Sequence, residues 1–102
     1  MNKYRKIDDP GHGWLEVPLK EVLDSGADIS YFSYFNGGNN MVYLEEDLDM
    51  FNFLKASKGI TKKSVVPEGE SKWEYNVQIE EVHQENTFVR GLPSFDLSKY
   101  KK

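Results

Sequence analysis

The residues best suited to chemistry in this sequence are two histidines and the acids that stand near them. His12 follows Asp9 by three positions, and His83 precedes Glu85 by two. If the first turn of the chain met the last, these side chains could hold a metal ion or act as an acid–base pair. Neither spacing matches a known metal-binding signature, and His12 could equally pack against the neighbouring Trp14 ring. A small hydrolase or metal-binding protein centred on His12 and His83 therefore stands as one alternative.

Other catalytic patterns are missing from the sequence. Cysteine is absent, which removes thiolate ligands and a cysteine nucleophile. None of the serines stands in a nucleophile-elbow motif, and Gly37-Gly38 lacks the residues that complete a phosphate-binding loop. The acids between Glu45 and Asp49 do not have the spacing of a calcium loop. The sequence favours a non-enzymatic protein, and we expect neither a cofactor nor a metal.

Negative charge is concentrated in the first half of the chain. The formal net charge at pH 7 is -4, but residues 16–54 contain eight acids and a single lysine, a net charge of -7 for that span. Such a field attracts basic partners and repels the phosphates of nucleic acids. We therefore expect a protein partner with a basic surface. The alternative is that these acids are only the solvated faces of ordinary helices and strands.

Aromatic side chains are dense within the acidic span, where Tyr31, Phe32, Tyr34 and Phe35 follow one another along a predicted strand. Exposed rings can anchor a protein partner or stack on the bases of a single-stranded nucleic acid. The surrounding acids oppose phosphate binding, so a nucleic-acid-binding module that uses strand 31–35 is the second alternative. The predicted partner-binding residues combine two rings with five acids: Tyr34, Phe35, Glu45, Glu46, Asp49, Glu80 and Glu81.

Hydrophobic periodicity and turn residues predict the element order β-α-β-β-α-β-β. Asp9-Pro10-Gly11-His12 has the residues of a type II turn. The predicted elements are the strand Trp14–Val17, a helix from Pro18 to a stop at Gly26, the strand Ser30–Phe35, the hairpin turn Asn36–Asn40, the strand Met41–Leu44, a helix from Asp47 to Gly59, a loop Ile60–Lys72, the strand Trp73–Glu80, a turn His83–Asn86 and the strand Thr87–Arg90.

The second predicted helix is apolar around most of its circumference. Asp47 could cap it, and Asp49 in its first turn would interact favourably with the helix dipole. The apolar side chains are Leu48, Met50, Phe51, Phe53 and Leu54. Such a helix is either deeply buried or offers one apolar side to a partner, which leaves a homodimer open.

Together these elements predict one α+β domain over residues 1–102, with a mainly antiparallel sheet and two helices. The first six elements match the split βαβ order of ferredoxin-like domains. We expect flexible ends at about residues 1–7 and 96–102. No stretch approaches the roughly 20 apolar residues of a membrane span, and no apolar run follows the charged N-terminus. We therefore expect a cytoplasmic protein with no membrane partner.

Three segments carry a family resemblance: residues 9–18 (DPGHGWLEVP), 43–49 (YLEEDLD) and 83–91 (HQENTFVRG). With them the chain resembles, over most of residues 8–95, a family of small uncharacterised proteins encoded by bacteriophages, plasmids and related mobile elements. The turn at residues 36–40 is looser than the resemblance would suggest. The resemblance implies a bacterial cytoplasm and brings no catalytic residues. The combined expectation is a small acidic accessory protein that binds and modulates a host or phage protein.

Overall fold

A five-stranded mixed sheet forms the centre of the computed structural model, which describes residues 3–62, 73–75, 77–85 and 88–100. The described elements, in chain order, are β1 (Lys3–Asp8), β2 (Gly13–Pro18), α1 (Leu19–Ser25), β3 (Tyr34–Asn36), β4 (Met41–Glu45), α2 (Asp49–Ala56), β5 (Ile60–Lys62), β6 (Trp73–Tyr75), β7 (Gln78–His83) and the 3-10 helices Phe88–Gly91 and Leu97–Tyr100. The strand order is β3-β4-β2-β1-β7, and β5 and β6 form a separate two-stranded sheet.

The larger core lies between one face of the sheet and the two helices. Successive side chains of a strand point to opposite faces, so alternate residues of β2 and β4 reach this core. The buried residues of the strands and helices that meet here include Tyr4, Leu15, Val17, Val22, Val42, Leu44, Met50, Phe53 and Leu54. Neither described helix is long and apolar enough to cross a membrane.

The opposite face carries a smaller core that the 3-10 helix Phe88–Gly91 covers. Ile7, Trp14, Tyr43 and Val89 are buried together in it, and the ring of Phe88 meets that of Tyr43 edge to face at 5.3 Å. Strand β2 is therefore covered on both sides near its centre, and its residues from Gly13 to Val17 are all buried.

The predicted α+β class with two helices is confirmed, but the sheet is mixed, and the described strands and α-helices run β-β-α-β-β-α-β-β-β instead of the predicted β-α-β-β-α-β-β. β7 pairs in parallel with β1, in a register that joins Arg5 to Glu80, whereas the other neighbouring strands of this sheet pair antiparallel. The sheet contains a parallel pair because β1, which was not predicted, lies between β2 and β7 and pairs with both. This strand occupies residues predicted to be a flexible end, and it was missed because its buried residues, Tyr4 and Ile7, point to opposite faces. The ferredoxin-like arrangement stays a prediction.

Several predicted elements differ in extent from the structure. The predicted strand Trp73–Glu80 contributes β6 to the small sheet and the start of β7 to the large one, and β5 begins inside the predicted loop. The predicted strand Ser30–Phe35 contracts to β3, and Phe88–Gly91 is a 3-10 helix rather than a strand. Parts of the predicted loop, the last turn, the last strand and both ends lie outside the described residues. These parts are residues 1–2, 63–72, 76, 86–87 and 101–102.

The helix boundaries follow the predicted residues at α1 but not at the start of α2. Pro18 directly precedes α1, and Gly26 ends it in the left-handed conformation, with φ 71° and its N–H donated to the carbonyl of Leu23. Leu48 occupies the N-cap of α2 and no side chain caps that helix, so the predicted cap by Asp47 is wrong.

Candidate functional site

Two aromatic side chains project from the loop that leads into β3. Tyr31 is 74% exposed and Phe32 is 67% exposed, and their ring centroids lie 6.0 Å apart. These are the most exposed large apolar side chains in the part of the chain that the structure describes. Large aromatic rings are normally among the most buried groups of a protein, so an exposed adjacent pair needs an explanation.

A tight turn from Ser30 to Ser33 places both rings at its corner. The N–H of Ser33 donates to the carbonyl oxygen of Ser30 at 3.4 Å, and the N–H of Phe32 donates to Oγ of Ser30 at 3.2 Å. Corner positions of turns usually carry glycine, proline, asparagine, aspartate or serine, because these residues favour the local backbone geometry. Here Tyr31 and Phe32 hold those positions.

The buried carboxylate of Asp49 fixes both ends of this turn. Its Oδ1 accepts the backbone N–H of Ser30 at 3.0 Å, and its Oδ2 accepts the hydroxyls of Ser30 at 2.7 Å and Ser33 at 2.6 Å. Oγ of the buried Ser33 also accepts the N–H of Glu45 at 3.0 Å, which ties the turn to the end of β4. We call Asp49, Ser30 and Ser33 the Asp49 network. Its contacts span 16 and 19 residues, so no local pattern in the sequence indicates it.

An exposed leucine and several acids stand beside the turn. Leu48, which immediately precedes Asp49, is 50% exposed. Asp47 and Asp28 are exposed, and the carbonyl of Asp28 accepts a hydrogen bond from α2. Oε1 of Glu45 accepts the N–H of Asp47 at 2.7 Å, so its carboxylate lies over the same bend. We call Tyr31, Phe32 and Leu48 the corner patch, and Asp28, Glu45 and Asp47 its acidic rim.

The two rings predicted to anchor a partner are used inside the fold. Tyr34 and Phe35 lie on opposite faces of β3, and both are half-buried. Tyr34 meets Trp14 edge to face at 6.1 Å, and Phe35 meets Phe95 at 6.0 Å. The exposed aromatic pair is therefore Tyr31 and Phe32, which stand three residues earlier in the same segment.

The five predicted acids do not form one surface. Asp49 is fully buried in its network, and Glu45 belongs to the rim of the corner patch. Glu46 pairs with Lys6 at 2.8 Å. Glu80 and Glu81 are exposed but, as neighbours on β7, point to opposite faces of the sheet.

The acid predicted to work with His12 is bound to an arginine instead. Asp9 accepts two hydrogen bonds from Arg90, at 2.6 Å from Nε and 3.0 Å from the terminal nitrogen. Its Oδ1 also accepts the backbone N–H groups of Gly11 and His12. These hydrogen bonds, the one from Arg90 above all, hold the pKa of Asp9 far below its usual value. Asp9 therefore fixes the first turn as a carboxylate.

The second histidine pairs with a different acid. Nδ1 of His83 lies 3.1 Å from Oδ1 of Asp8, and Nε2 lies 4.0 Å from Glu85. The described residues contain no group of three or more His, Asp or Glu side chains that could hold a metal ion. In the structure, therefore, Asp9 binds Arg90, and the close acidic partner of His83 is Asp8.

A third polar cluster lies on the sheet and was not predicted. The buried carboxylate of Glu16 accepts two hydrogen bonds from Arg5, at 3.1 and 3.0 Å, and one from the hydroxyl of Tyr43 at 2.8 Å. Burial, followed by the hydrogen bond to Glu16, raises the pKa of Tyr43 to about 12. A phenol that keeps its proton so firmly is poorly suited to acid–base catalysis near neutral pH, so we assign this cluster a structural role.

Comparison with known proteins adds no relative. No family model matches the chain, and no curated protein and no solved structure is detectably similar to it. The resemblance to proteins of mobile elements therefore stays a prediction, and the function has to be argued from the geometry of the chain itself.

Proposed function

We propose that this protein is a non-enzymatic recognition protein that binds a partner protein with a basic surface through the corner patch. The observation that carries the proposal is the pair of large rings, Tyr31 and Phe32, that stand 74% and 67% exposed on a turn whose two ends are hydrogen-bonded to the buried Asp49.

The hydrogen bonds that hold the turn favour a binding role for the two rings over an exposure without function. A loop that is already ordered loses little conformational entropy when a partner binds, so more of the contact energy contributes to affinity. Asp49 accepts three hydrogen bonds from the turn, and the one from the hydroxyl of Ser33 is buried away from water. Aromatic anchors surrounded by polar residues are typical of the few side chains that dominate protein interfaces.

The acidic rim supports a basic partner. Glu45 is hydrogen-bonded through its N–H to Ser33 of the turn, Asp47 is bonded to Glu45, and Asp28 precedes Ser30 by two residues. All three acids belong to the span of the sequence with a net charge of -7. Negative potential around apolar anchors accelerates association with a positive surface and suppresses binding to other partners. The same rim repels phosphate, which disfavours the alternative that the rings stack on nucleic-acid bases.

The setting that we propose is that of the family resemblance. An accessory protein of a phage or other mobile element would act in a bacterial cytoplasm by covering a basic surface of a host or phage protein. A bacterial lysate is therefore the source in which a partner is sought.

The test compares proteins captured from a bacterial lysate by the immobilised wild-type chain and by Tyr31→Ser/Phe32→Ser. We expect a basic protein that the wild type retains at low salt and releases at high salt, and that the double variant does not retain. Leu23→Ser is the matched control, because it removes an exposed apolar side chain from α1 and should retain the partner.

The captured protein is then purified, and its Kd for each variant is measured directly. A Kd that rises at least about tenfold in Tyr31→Ser/Phe32→Ser, and less than about twofold in Leu23→Ser, supports the proposal. Equal binding by both variants, or recovery of nucleic acid in place of a protein, would overturn it.

A further inference from the structure

The two edges of the five-stranded sheet are treated differently. The C-terminal segment covers the β3 edge, where Phe35 donates its N–H to Pro93 at 2.9 Å, Phe95 donates to Ser33 at 2.8 Å, and Tyr34 bridges to Ser94. At the other edge, no described strand pairs with the outer side of β7. Among the described residues, this six-residue edge is unpaired, and such an edge offers a row of backbone donors and acceptors to an added strand.

A groove runs beside this open edge, between β7 and α2. It is lined by Val77, Ile79 and Glu81 in and beside β7, by Met50 of α2 and by Lys6 of β1. The cavity has a volume of about 400 Å³, which is room for several side chains. A strand added to β7 would direct every second side chain toward this groove, because side chains alternate along a strand.

We propose that the outer edge of β7 accepts an extended basic peptide segment as a sixth strand, with alternate apolar side chains of that segment seated in the groove. Backbone hydrogen bonds would supply the affinity, and the groove would determine which side chains bind, as in other complexes formed by strand addition. This surface is distinct from the corner patch, so the inference does not depend on the function proposed above.

The charges on β7 argue against a second copy of this chain as the occupant. If two β7 strands paired antiparallel about Glu80 or about Glu81, that glutamate would stand directly opposite its own counterpart in the other copy. Like charges directly opposite each other destabilise a strand pair. The glutamates thus act against self-association while leaving the backbone edge available to a strand of opposite charge.

The same charges select a basic segment. Glu80 and Glu81 are exposed on the two faces of β7, so an added strand meets a carboxylate on each face. Their contacts with β1 are long: 3.5 Å from Glu80 to Lys3 and 3.9 Å from Glu81 to Lys6. Lys6 makes its close contact, at 2.8 Å, with Glu46. The Glu80–Lys3 pair is exposed and contributes little stability, and the contact of Glu81 with the largely buried Lys6 is much longer than that of Lys6 with Glu46. A basic segment can therefore replace both contacts of β7 at small cost.

The experiment measures binding of a fluorescent peptide of alternating lysine and valine to the whole chain by fluorescence anisotropy. A peptide with glutamate in place of lysine is the charge control. We expect the Lys-Val peptide to bind with a Kd that rises about fivefold or more in Glu80→Gln/Glu81→Gln. Asp24→Asn/Asp96→Asn removes the same number of exposed charges elsewhere on the surface and should change the Kd less than about twofold.

N-methylated peptides distinguish strand addition from simple charge attraction. Alternate N–H groups of a strand point to the same side, so only one alternating set can bond to β7. We expect methylation of either the lysine nitrogens or the valine nitrogens to abolish binding, while methylation of the other set spares it.

Three results would overturn the inference. The first is equal binding of the Lys-Val and Glu-Val peptides. The second is an identical effect of the two methylation patterns. The third is a dimer of the free chain that the peptide dissociates, since the edge would then belong to a second copy.

Discussion

At the scale of single residues, Asp49 controls the shape of the corner patch. Asp49→Ala removes the acceptor of the Ser30 N–H and of the Ser30 and Ser33 hydroxyls. Leaving buried donors without partners costs about 1–3 kcal/mol, so we expect urea unfolding to show a loss of stability in that range. Partner capture should weaken although both rings remain.

Asp47→Ala is the control for this prediction, because Asp47 is exposed and caps no helix. We expect it to change the free energy of unfolding by less than about 0.5 kcal/mol. Equal stability of Asp49→Ala and Asp47→Ala would show that the network does not hold the turn.

The titration of Tyr43 makes stability depend on alkaline pH. Burial and the hydrogen bond to Glu16 raise its pKa from 10.0 to about 12 in the folded chain. Above pH 10 the unfolded chain releases this proton while the folded chain retains it, so the contribution is complete below pH 10 and is lost as the pH rises to about 12. Tyr43→Phe should flatten this decline and, at pH 7, cost about 1 kcal/mol for the lost hydrogen bond.

Tyr31→Phe is the control, because it removes an exposed phenol. We expect its free energy of unfolding to decline with rising pH as that of the wild type does. Denaturant titrations of the three chains at a series of pH values between 9 and about 12 provide the measurement. If the free energy of unfolding of Tyr43→Phe declined with pH as steeply as that of the wild type, the decline would come from other groups.

Sequence patterns identified the aromatic segment 31–35 but did not indicate which of its rings are exposed. The aromatic run predicted a strand through residue 35, with Tyr34 and Phe35 as anchors. The contact of Asp49 with Ser30, across 19 residues, turns the chain before β3 begins and leaves Tyr31 and Phe32 outside. A tertiary contact of this kind has no local signature, so neither composition nor periodicity could reveal it.

At the scale of elements, Gly26 determines where α1 ends. It has φ 71°, a conformation that costs an L-residue roughly 1–2 kcal/mol. A Cβ added at this position would meet no neighbouring atom within 4 Å, so Gly26→Ala should lose stability by about 1 kcal/mol through backbone strain alone.

Gly37→Ala is the matched control in the β3–β4 turn. Gly37 has no positive φ, and an added Cβ would make only an ordinary contact, at 3.7 Å, with Phe35. We expect thermal unfolding to show a clear decrease in Tm for Gly26→Ala and almost none for Gly37→Ala. The opposite order would contradict the backbone explanation.

Elements defined by local chemistry were predictable, whereas elements defined by their neighbours were not. Pro18 and Gly26 bound α1 as predicted, and the glycine- and asparagine-rich turn joins β3 to β4. Strand β1 could not be recognised, because four of its six residues are charged and it depends on β2 and β7 on either side. The candidate groove needs β7 beside α2, and no pattern in the sequence specifies that neighbour.

At the scale of the whole molecule, the sheet separates two surfaces that α2 connects. Tyr31 and Phe32 lead into β3 at one edge of the sheet, and β7 forms the other edge, four strand spacings or about 19 Å from β3. The first turn of α2 contributes Leu48 to the patch and Met50 to the groove, with Asp49 between them.

This arrangement predicts that the two surfaces bind independently unless α2 is disturbed. Substitutions more than about 10 Å apart usually act additively, so Tyr31→Ser/Phe32→Ser should leave the Kd of the Lys-Val peptide within about twofold of the wild type. Glu80→Gln/Glu81→Gln should likewise leave partner capture intact. Asp49→Ala is expected to weaken both, because it loosens the turn of α2 that the surfaces share. Anisotropy and capture assays on the same preparations measure all three. Loss of peptide binding in Tyr31→Ser/Phe32→Ser would mean that the rings and the groove form one continuous site.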